Sequence, residues 1–467
     1  MSLNVRMHHD YVGIPLLPIV QDLGMRGIPI DPVRKDLLTS WVGAQLEALD
    51  LQLLDYGLRD PGSSKKLDAD LVRLGVPLTK KTKGGGQHAT DLEVLQRIDH
   101  FYNHVDQQVR YPFLPPLMER KKLEKTRANL ESLIPCSCDG RVRTSLRSTG
   151  TATHRYSSSR LKWCPACMEP FHGTNLQNVA KPDENYPIDC GGACRVYPTY
   201  AARWDMGKTC NRQHYLREMF LAPLGFEFIE WDYSMLELRI LAEVAGVKLL
   251  KERLDAFDAG TGPKIHLLNE QDLFGTQKDP NNYTLAKNFV YASVYGGAEV
   301  AIQIALAKKG QYLEQSYILD LRRKLFAAYP EMVAWQVARQ QGFDRARAAK
   351  RPLIARNVFG AARLLLASDP AKEGLSTEIQ GTAAYIMSLN LLRLRREHPD
   401  VERTLAAQIH DSLLALVAER DVPTVDRVVR GEMERPVWFT DRFTRLPVDG
   451  KRGRSWDSME EFTLEAA

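Results

Sequence analysis

Apolar and polar positions follow a helical period through the first part of the chain, from Tyr11 to about Asn129. The clearest amphipathic stretches are 34–56 and 114–132, and each is long enough for several helical turns. Between them, the polar, glycine-containing segment 79–88 predicts a loop. This part of the chain is therefore predicted to be mostly helical.

The pattern changes after residue 139, where short strands and helices alternate as far as about residue 250. Phe226 to Trp231 is an apolar run that predicts a strand. Residues 251–365 return to helical periodicity with turn signals between the helices. The last part of the chain predicts a helix from about 373 to 396 and then a hairpin, with strands at 406–410 and 413–417.

Two aspartates lie at the edges of predicted strands and far apart in sequence. Asp232 follows the strand 226–231, and Asp411 lies between the two strands of the hairpin. Mg²⁺ prefers oxygen ligands and is usually held by one or two carboxylates together with substrate phosphates. A pair of such ions can stabilise the attacking and leaving oxygens of a displacement. Either aspartate alone is more often a helix cap or turn residue, but together they suit two-metal phosphoryl transfer.

A predicted helix between these aspartates has a distinctive face. Tyr283, Lys287, Tyr291 and Tyr295 recur every four positions and therefore lie on one side of the helix. An ammonium group suits phosphate, and aromatic rings suit a base and a sugar. The alternative is a half-buried helix whose tyrosine rings pack inward while Lys287 extends to water.

With these features in place, the chain resembles a family A DNA polymerase, the bacterial DNA polymerase I type that is also found in many phages. Asp232 to Arg239 is similar to the first catalytic motif of that family, Ala286 to Gly296 to its fingers helix, and Gln408 to Asp411 to its last motif. Further matches occur in the order of the family and span the chain from about residue 10 to residue 457: Thr149 to Ser159, Asn175 to Asn178, Arg217 to Phe220, Ile265-His266 and Ile379 to Ala384.

The resemblance implies a right-hand polymerase fold of mixed α/β (α+β) class, with palm, fingers and thumb around an antiparallel palm sheet. The implied domains are an N-terminal palm segment at 1–30, a thumb at 31–132, a palm at 133–250 with cysteine-containing insertions at 160–212, fingers at 251–365, and a final palm segment at 366–467.

The resemblance also implies roles for single residues. Asp232 and Asp411 would hold two Mg²⁺ ions, and Lys287 would bind the triphosphate and protonate the departing pyrophosphate. Glu237 matches the side chain that excludes a ribose 2′-hydroxyl, although Ser234 and Glu237 also fit a helix capping box. The other implied nucleotide-binding residues are His266, Tyr291 and Tyr295, and the implied DNA-binding residues are Arg155, Gln177, Gln380, Gln408 and His410. Each of these could instead have a structural role.

Two positions depart from the family pattern. Tyr283 stands where the family usually has an arginine, which removes a bidentate phosphate clamp. We expect weaker nucleotide binding unless Lys278 or another cation replaces that clamp. Ser412 stands where an acidic residue is common, so the affinity for metal is expected to differ.

The predicted insertions contain two close cysteine pairs, Cys164-Pro-Ala-Cys167 and Cys190-Gly-Gly-Ala-Cys194. These resemble the halves of a tetrahedral thiolate site, and we expect these four cysteines to bind one zinc ion. Cys210 or His172 could substitute as a ligand. The alternatives are an iron–sulfur cluster on the same thiolates and separate thiols without metal.

Composition limits the possible partners and setting. The 467 residues carry a net charge of only +5, so a polyanion would have to be met by local basic clusters. Such clusters include Lys80 to Lys83 and Arg120 to Lys122 in the predicted thumb. Neither a signal peptide nor a membrane-spanning run is evident. Seven cysteines suit a reducing interior, so we expect the cytoplasm of a bacterial or phage-infected cell.

The expected function is template-directed, Mg²⁺-dependent DNA polymerisation in replication or repair, of phage type, with primer-template DNA and dNTPs as partners and no membrane. No intrinsic exonuclease is expected, because the only Asp-x-Glu in the thumb region, Asp91 to Glu93, fits a capped helix. A separate exonuclease or processivity factor would then be a further partner. The alternatives are a single-subunit RNA polymerase, which Glu237 disfavours, and a non-enzymatic nucleic-acid-binding protein, which Tyr283 and Ser412 keep open.

Overall fold

The structure is a computed structural model of the chain. It describes residues 9–82, 85–105, 109–147, 156–159, 167–168, 188–189, 213–296, 299–307, 311–366, 370–439 and 441–462. Among these residues, no helix combines the length and apolar content needed to cross a membrane.

The first part of the chain is helical, as predicted. After a π-helical turn at His9–Gly13, the elements are α1 (Ile14–Arg26), β1 (Ile28–Pro29), α2 (Pro32–Asp55), α3 (Ser64–Arg73), α4 (Leu92–Asp99), a π-helical turn at His100–Val105, and α5 (Leu114–Ser132). Side-chain caps begin several of these helices. The Asp31 carboxylate accepts from the backbone N–H of Val33 at 3.0 Å, with Pro32 at the first helical position of α2. Asp91 caps α4 in the same way, as the sequence predicted.

The helices α2 and α5 pack against each other and form what we call the stalk. Leu53 of α2 and Leu117 of α5 belong to a small apolar core that also contains α3 and α4. The other halves of both helices, including Trp41 and Leu130, belong to a second core beside the central sheet. The stalk therefore connects two separate cores.

Short strands follow the stalk: β2 (Arg141–Val142), β3 (Ser145–Arg147), β4 (Ser157–Ser159), β5 (Ile188–Asp189) and β6 (Gln213–His214), with a 3₁₀ turn at Leu216–Met219. The central sheet contains β7 (Phe226–Tyr233), β10 (Leu405–Ile409), β11 (Ser412–Ala418), β14 (Val448–Gly453) and β15 (Glu460–Glu461). Its strand order is β10-β11-β7-β14-β15, and every pair is antiparallel. This confirms the predicted mixed α/β class with an antiparallel sheet.

Alternation along β7 places its side chains on both faces of the central sheet. Ile229 and Trp231 are fully buried in the largest core, whereas Phe228 is buried in the core shared with the stalk. Glu230 and Asp232 therefore lie on the same face of the strand as Phe228. The carboxylate that ends the strand is thus directed by the same alternation that buries its apolar neighbours.

The long segment after β7 is mainly helical. It contains α6 (Leu236–Val244), α7 (Lys248–Asp258), α8 (Ile265–Phe274), α9 (Pro280–Val294), α10 (Glu299–Ala307), α11 (Gln315–Ala328) and α12 (Pro330–Ala348). The segment 251–365 was predicted to be helical, but it also contains a two-stranded hairpin of β8 (Ile354–Arg356) and β9 (Ala362–Leu364). The hairpin packs on α13, so tertiary contact decides its conformation.

The remainder returns to the central sheet. A 28-residue helix, α13 (Pro370–Glu397), is followed by α14 (Pro399–Glu402), the β10–β11 hairpin, α15 (Val422–Met433), β12 (Val437–Trp438) and β13 (Phe443–Thr444). The helix α13 packs against α6, α12 and α15 and is buried along much of its length. It forms the apolar layer beneath the sheet.

Candidate active site

The central sheet brings the two predicted aspartates together. Asp232 lies near the end of β7 and pairs in register with Ser412 of β11. Asp411 lies in the turn directly before β11, and its carbonyl accepts a hydrogen bond from the backbone N–H of Tyr233 at 3.3 Å. Two carboxylates separated by almost 180 positions in sequence therefore lie at the same end of the sheet.

Two further carboxylates lie beside this pair, and sequence reasoning missed both. Asp449 of β14 pairs with Asp232 on the side opposite Ser412. Glu230 lies two residues before Asp232, on the same face of β7, and its carboxylate accepts a hydrogen bond from the Ser412 hydroxyl at 3.1 Å. The position of Ser412 is therefore close to an acidic group supplied by a neighbouring strand. The sequence carried no signal for Asp449, because β14 has no clear apolar alternation.

The electrostatics of Asp232 follow from this crowding. Its side chain is exposed to the cleft, but the surrounding protein removes part of its hydration, and this desolvation raises its pKa. Repulsion by Asp411, Glu230 and Asp449 raises it further, to about 7. Crowded oxygen donors of this kind match the ligands that Mg²⁺ prefers. The residues present therefore fit a divalent cation site.

The tyrosine and lysine face of α9 opposes the carboxylates across the cleft. Tyr283, Lys287 and Tyr291 line the same cleft as Asp232 and Asp411, and its volume is about 1000 Å³. Lys287 is exposed, whereas the two tyrosines are half-buried. Three of the four residues predicted to share a face therefore line the cleft, whereas Tyr291 and Tyr295 also pack against the largest core.

His266, at the start of α8, lies behind this face. Its ring is buried and contacts the rings of Tyr283 and Tyr291, with centroids 6.0 and 5.8 Å away. Burial lowers the pKa of His266 to about 4, and the charge of Lys287 contributes to the same shift. The imidazole is therefore neutral near pH 7, and its Nδ1 has no hydrogen-bond partner among the described residues.

Glu237 also lines the cleft, but the capping box predicted for it is wrong. The helix α6 begins at Leu236, and its N-cap is Met235 in a left-handed conformation, without a side-chain cap. Ser234 is therefore too far from the helix start to cap it. The Glu237 carboxylate accepts a hydrogen bond from the Tyr295 hydroxyl instead. This contact ties the first turn of α6 to the end of α9.

A second lysine also lies at the cleft. Lys264, directly before α8, lines the cleft together with Lys287. Lys278, the cation named from the sequence, is exposed and is not among the residues that line the cleft, so Lys264 is another cation of the kind left open there. The signal that could have identified Lys264 is its position two residues before His266.

The predicted DNA-binding residues have different outcomes. His410 lines the cleft beside Asp411. Gln408 is buried, and its side-chain amide donates to the carbonyl of His410 at 2.6 Å, so it supports the turn that carries Asp411. Gln380 is half-buried on α13 and is not among the residues that line the cleft. Arg155 and Gln177 lie outside the described residues.

One of the predicted zinc ligands lies in a cysteine cluster that the sequence did not predict. Cys167 lies beside Cys136 and Cys138, which the sequence analysis did not include. The other predicted zinc ligands, Cys164, Cys190 and Cys194, lie outside the described residues, as do the proposed substitutes Cys210 and His172. The available signal was the close pair Cys136-Ser-Cys138, followed by the turn residues Asp139 and Gly140.

The carboxylates at one end of an antiparallel sheet and the facing lysine helix place this chain in the class of right-hand polymerases. More narrowly, the chain belongs to DNA polymerase family A, whose sequence profile matches residues 42–458.

Similar proteins agree with this assignment. DNA polymerase I of Chloroflexus aurantiacus is 25% identical, over 97% of this chain and 43% of that protein. DNA polymerase I of Deinococcus radiodurans is 26% identical, over 97% of this chain and 42% of that protein. The chain therefore spans less than half the length of these relatives.

A solved structure shows the same fold. The POL domain of Pol1 from M. smegmatis, in complex with DNA primer-template and dNTP, matches with a TM-score of 0.71 and 24% sequence identity. The match covers 97% of this chain and 71% of that chain. The right-hand polymerase fold implied by the sequence is thereby confirmed, whereas the domain boundaries remain predictions.

Proposed function

We propose that this chain is a template-directed DNA polymerase that extends a primer 3′-hydroxyl with deoxynucleoside triphosphates. The observation that supports this most directly is the convergence of Asp232, Asp411 and Lys287 on one cleft. The cleft has the size of a nucleotide site. The polymerase I relatives and the M. smegmatis complex with primer-template and dNTP support the same activity.

Asp232 and Asp411 are the proposed metal ligands, with Asp449 close enough to contribute. Two Mg²⁺ ions bound there would stabilise the attacking and leaving oxygens of the phosphoryl transfer. Repulsion among these carboxylates, which adds to the desolvation that raises the pKa of Asp232, favours any added positive charge. Ser412 and Glu230 hold the neighbouring strands together at this point.

Lys287 and Lys264 are the proposed triphosphate ligands, and the Lys287 ammonium is placed to donate a proton to the departing pyrophosphate. The neutral His266 can donate a hydrogen bond to a phosphate oxygen from the same side. Two lysines are point charges and lack the paired donors of an arginine, so we expect them to restore only part of the binding lost with Tyr283.

Glu237 is the proposed sugar-selecting residue. The hydrogen bond from Tyr295 holds its carboxylate at the cleft wall, where a ribose 2′-hydroxyl would meet it. Tyr291 lines the same cleft as Glu237 and the carboxylates, and we expect the sugar to bind beside its ring. His410, Gln408 and Gln380 remain proposals as DNA contacts, and Gln408 would act through the Asp411 turn.

Primer extension with Mg²⁺ tests the proposal. Asp232→Ala and Asp411→Ala should each reduce extension by about 10³-fold or more, because each removes a metal ligand in the reaction site. Binding of a labelled primer-template should stay within a few-fold of the wild type. Near-normal extension by either variant would contradict the metal assignment. Inactive wild-type protein that still binds DNA would favour the non-enzymatic alternative.

The RNA polymerase alternative is tested with the same primer-template. The wild type should discriminate strongly against ribonucleotides, and Glu237→Ala should lower this discrimination by about tenfold or more. Tyr295→Phe should have a smaller effect in the same direction, because the carboxylate remains but is less firmly held. Efficient ribonucleotide incorporation by the wild type would favour the alternative.

We also propose that this chain does not trim mismatched primers. The Asp91 carboxylate caps α4 by accepting a hydrogen bond from the backbone N–H of Val94. We therefore assign it to the start of this helix rather than to a metal site. Incubation of the purified chain with a mismatched primer and Mg²⁺ should leave the primer at full length. Shortening of the primer by the wild type would overturn the proposal, and loss of that shortening in Asp91→Asn would assign it to Asp91.

A further inference from the structure

Three cysteine thiols converge at the turn that follows the stalk. Cys136 and Cys138 belong to the turn between α5 and β2, and Cys167 comes from the predicted insertion at 160–212. The Cys136 sulfur lies 3.0 Å from that of Cys138 and 3.6 Å from that of Cys167. All three sulfur atoms lie within 4.8 Å of one another.

We propose that these three thiolates bind a structural zinc ion. A tetrahedral zinc site with Zn–S bonds of about 2.3 Å requires sulfur atoms about 3.8 Å apart. The Cys136–Cys167 distance of 3.6 Å already meets this requirement. The distance to Cys138 has to open by less than about 1 Å, and its exposed side chain can rotate to do so. Both distances are longer than the roughly 2.05 Å of a disulfide.

The turn that carries two of the ligands is organised by its own hydrogen bonds. The backbone N–H of Cys136 donates to the carbonyl of Arg141, and the N–H of Gly140 donates to the carbonyl of Cys136, both at 2.9 Å. Gly140 has a φ of +68°, a conformation that suits glycine. The Asp139 carboxylate pairs with Arg143 across the same turn. Little ordering is therefore needed for Cys136 and Cys138 to bind an ion.

The location indicates a structural purpose. Leu133 and Val142, on either side of the turn, are fully buried in the core shared with the stalk. Cys167 lies in a separate stretch of chain, and the proposed zinc ion would join that stretch to this core. The three thiolates leave one position of a tetrahedral ion for a fourth donor. This differs from the pairing expected from the sequence, in which zinc would join the two insertions to each other.

This inference does not depend on the proposed polymerase activity, and metal analysis of the full chain tests it. Protein purified without chelators should contain about one zinc ion per chain. Cys138→Ser should reduce zinc by about tenfold or more, since a lost ligand weakens binding strongly. Cys138 is the best position to change because it is exposed, so the substitution opens no cavity in a core. Met168→Ala, next to Cys167 and 71% exposed, is the matched control and should keep its zinc.

A second variant separates loss of a ligand from loss of structure. Cys138→His supplies another zinc ligand at the same position and should retain zinc. With Co²⁺ in place of zinc, the wild type should show thiolate-to-metal charge-transfer absorption, which Cys138→Ser should lose while its circular dichroism is unchanged. Wild-type protein without zinc, zinc that persists in Cys138→Ser, a disulfide between these cysteines by mass spectrometry, or iron with inorganic sulfide would each overturn the proposal.

Discussion

Two residues near the proposed metal ligands have left-handed backbone conformations, which residues other than glycine rarely adopt. Met235 has a φ of +53° and His410 a φ of +51°. Met235 precedes the first turn of α6, which carries Glu237, and His410 precedes Asp411. Such strained positions persist where the surrounding structure holds them, and they are common at functional sites. At the residue scale, these two conformations set the directions of Glu237 and Asp411.

Tyr291 gives a residue-scale prediction about the choice of nucleotide. Its ring lines the cleft beside the carboxylates, and burial, together with the charges of Glu237, Asp411 and Asp232, raises the pKa of its hydroxyl. The protonated phenol can supply a hydrogen bond where a 3′-hydroxyl is missing. We therefore expect the wild type to accept dideoxynucleotides readily, and Tyr291→Phe to discriminate against them by about tenfold or more.

The measurement for Tyr291 is the ratio of chain termination to extension. Tyr283→Phe is the matched control, because it removes a hydroxyl from the same face of α9 two helical turns away. It should leave the ratio unchanged. An equal ratio for wild type and Tyr291→Phe would show that the Tyr291 hydroxyl plays no such part.

His266 gives a prediction about pH. Its folded-state pKa of about 4 lies below the unfolded value of about 6.5. The unfolded chain therefore binds more protons between these values, so the stability associated with the neutral ring is complete above pH 6.5 and falls as the pH falls toward 4. We expect the titration of His266 to lower the free energy of unfolding by about 1–2 kcal/mol when the pH falls from 7 to 5.

Urea denaturation of wild type and His266→Gln at both pH values measures this effect. The wild type should lose about 1–2 kcal/mol more than the variant on acidification. If wild type and His266→Gln lose stability in parallel, the buried ring is not the source.

At the scale of elements, close packing of α12 on α13 holds the helical segment against the central sheet. The Trp335 indole donates to Glu378 at 3.0 Å, and the Gln336 amide donates to the carbonyls of Ser293 and Val294 at 2.9 and 2.8 Å. The second contact caps the end of α9. The helix that carries Lys287 is therefore fixed by α12 as well as by its own start at Asp279.

Gly374 gives the element-scale prediction. A Cβ atom added there would overlap the ring of Phe343 of α12, which is buried in a small cluster with Ala355 of the β8–β9 hairpin. Gly374→Ala should therefore destabilise the fold by about 1–3 kcal/mol through overpacking. Thermal denaturation monitored by circular dichroism measures the change.

Gly342→Ala is the matched control, since Gly342 lies in α12 and a Cβ there would meet no atom within 4 Å. This substitution should stabilise the helix by about 0.5–1 kcal/mol. A melting temperature for Gly374→Ala that equals or exceeds that of wild type would show that Phe343 moves aside without cost.

At the scale of the whole molecule, several of the basic side chains that cluster in the sequence are paired with carboxylates or partly buried. Arg120 pairs with Asp50 of the stalk, and Lys66 lies 3.0 Å from Asp60. Burial lowers the pKa of Lys121. The exposed lysines that remain, such as Lys65, are the better candidates for contact with a phosphate backbone.

Lys65 and Lys66 give the whole-molecule prediction. We expect primer-template affinity to fall steeply as the salt concentration rises. Lys65→Ala should reduce the slope of log affinity against log salt concentration by about 1, because the complex then releases one counterion fewer. Lys66→Ala, its neighbour on α3, should reduce the slope less because Asp60 already compensates its charge. Titrations between 50 and 200 mM salt, roughly the range in which such contacts weaken, measure both slopes. Equal slopes for the wild type, Lys65→Ala and Lys66→Ala would show that neither lysine contacts the DNA backbone.

Much of the secondary structure could be predicted because it follows from local periodicity. The predicted helices 34–56 and 114–132 correspond to Pro32–Asp55 and Leu114–Ser132, and the predicted hairpin corresponds to β10 and β11. The face of α9 was also predictable, because four-residue spacing determines which side chains share a side. The capping box at Ser234 failed because a local motif cannot reveal that Met235 adopts a left-handed conformation.

The sequence by itself determined which residues end the strands and which share a helix face, because both depend on neighbours a few positions away. Only the tertiary structure decided that Asp449 lies beside Asp232, that Glu230 accepts from Ser412, and that Lys264 reaches the cleft. It also decided that Cys167 lies beside Cys136 and Cys138. The physical reason is that periodicity specifies the direction of a side chain, whereas the partner it meets depends on sheet register and packing between distant segments.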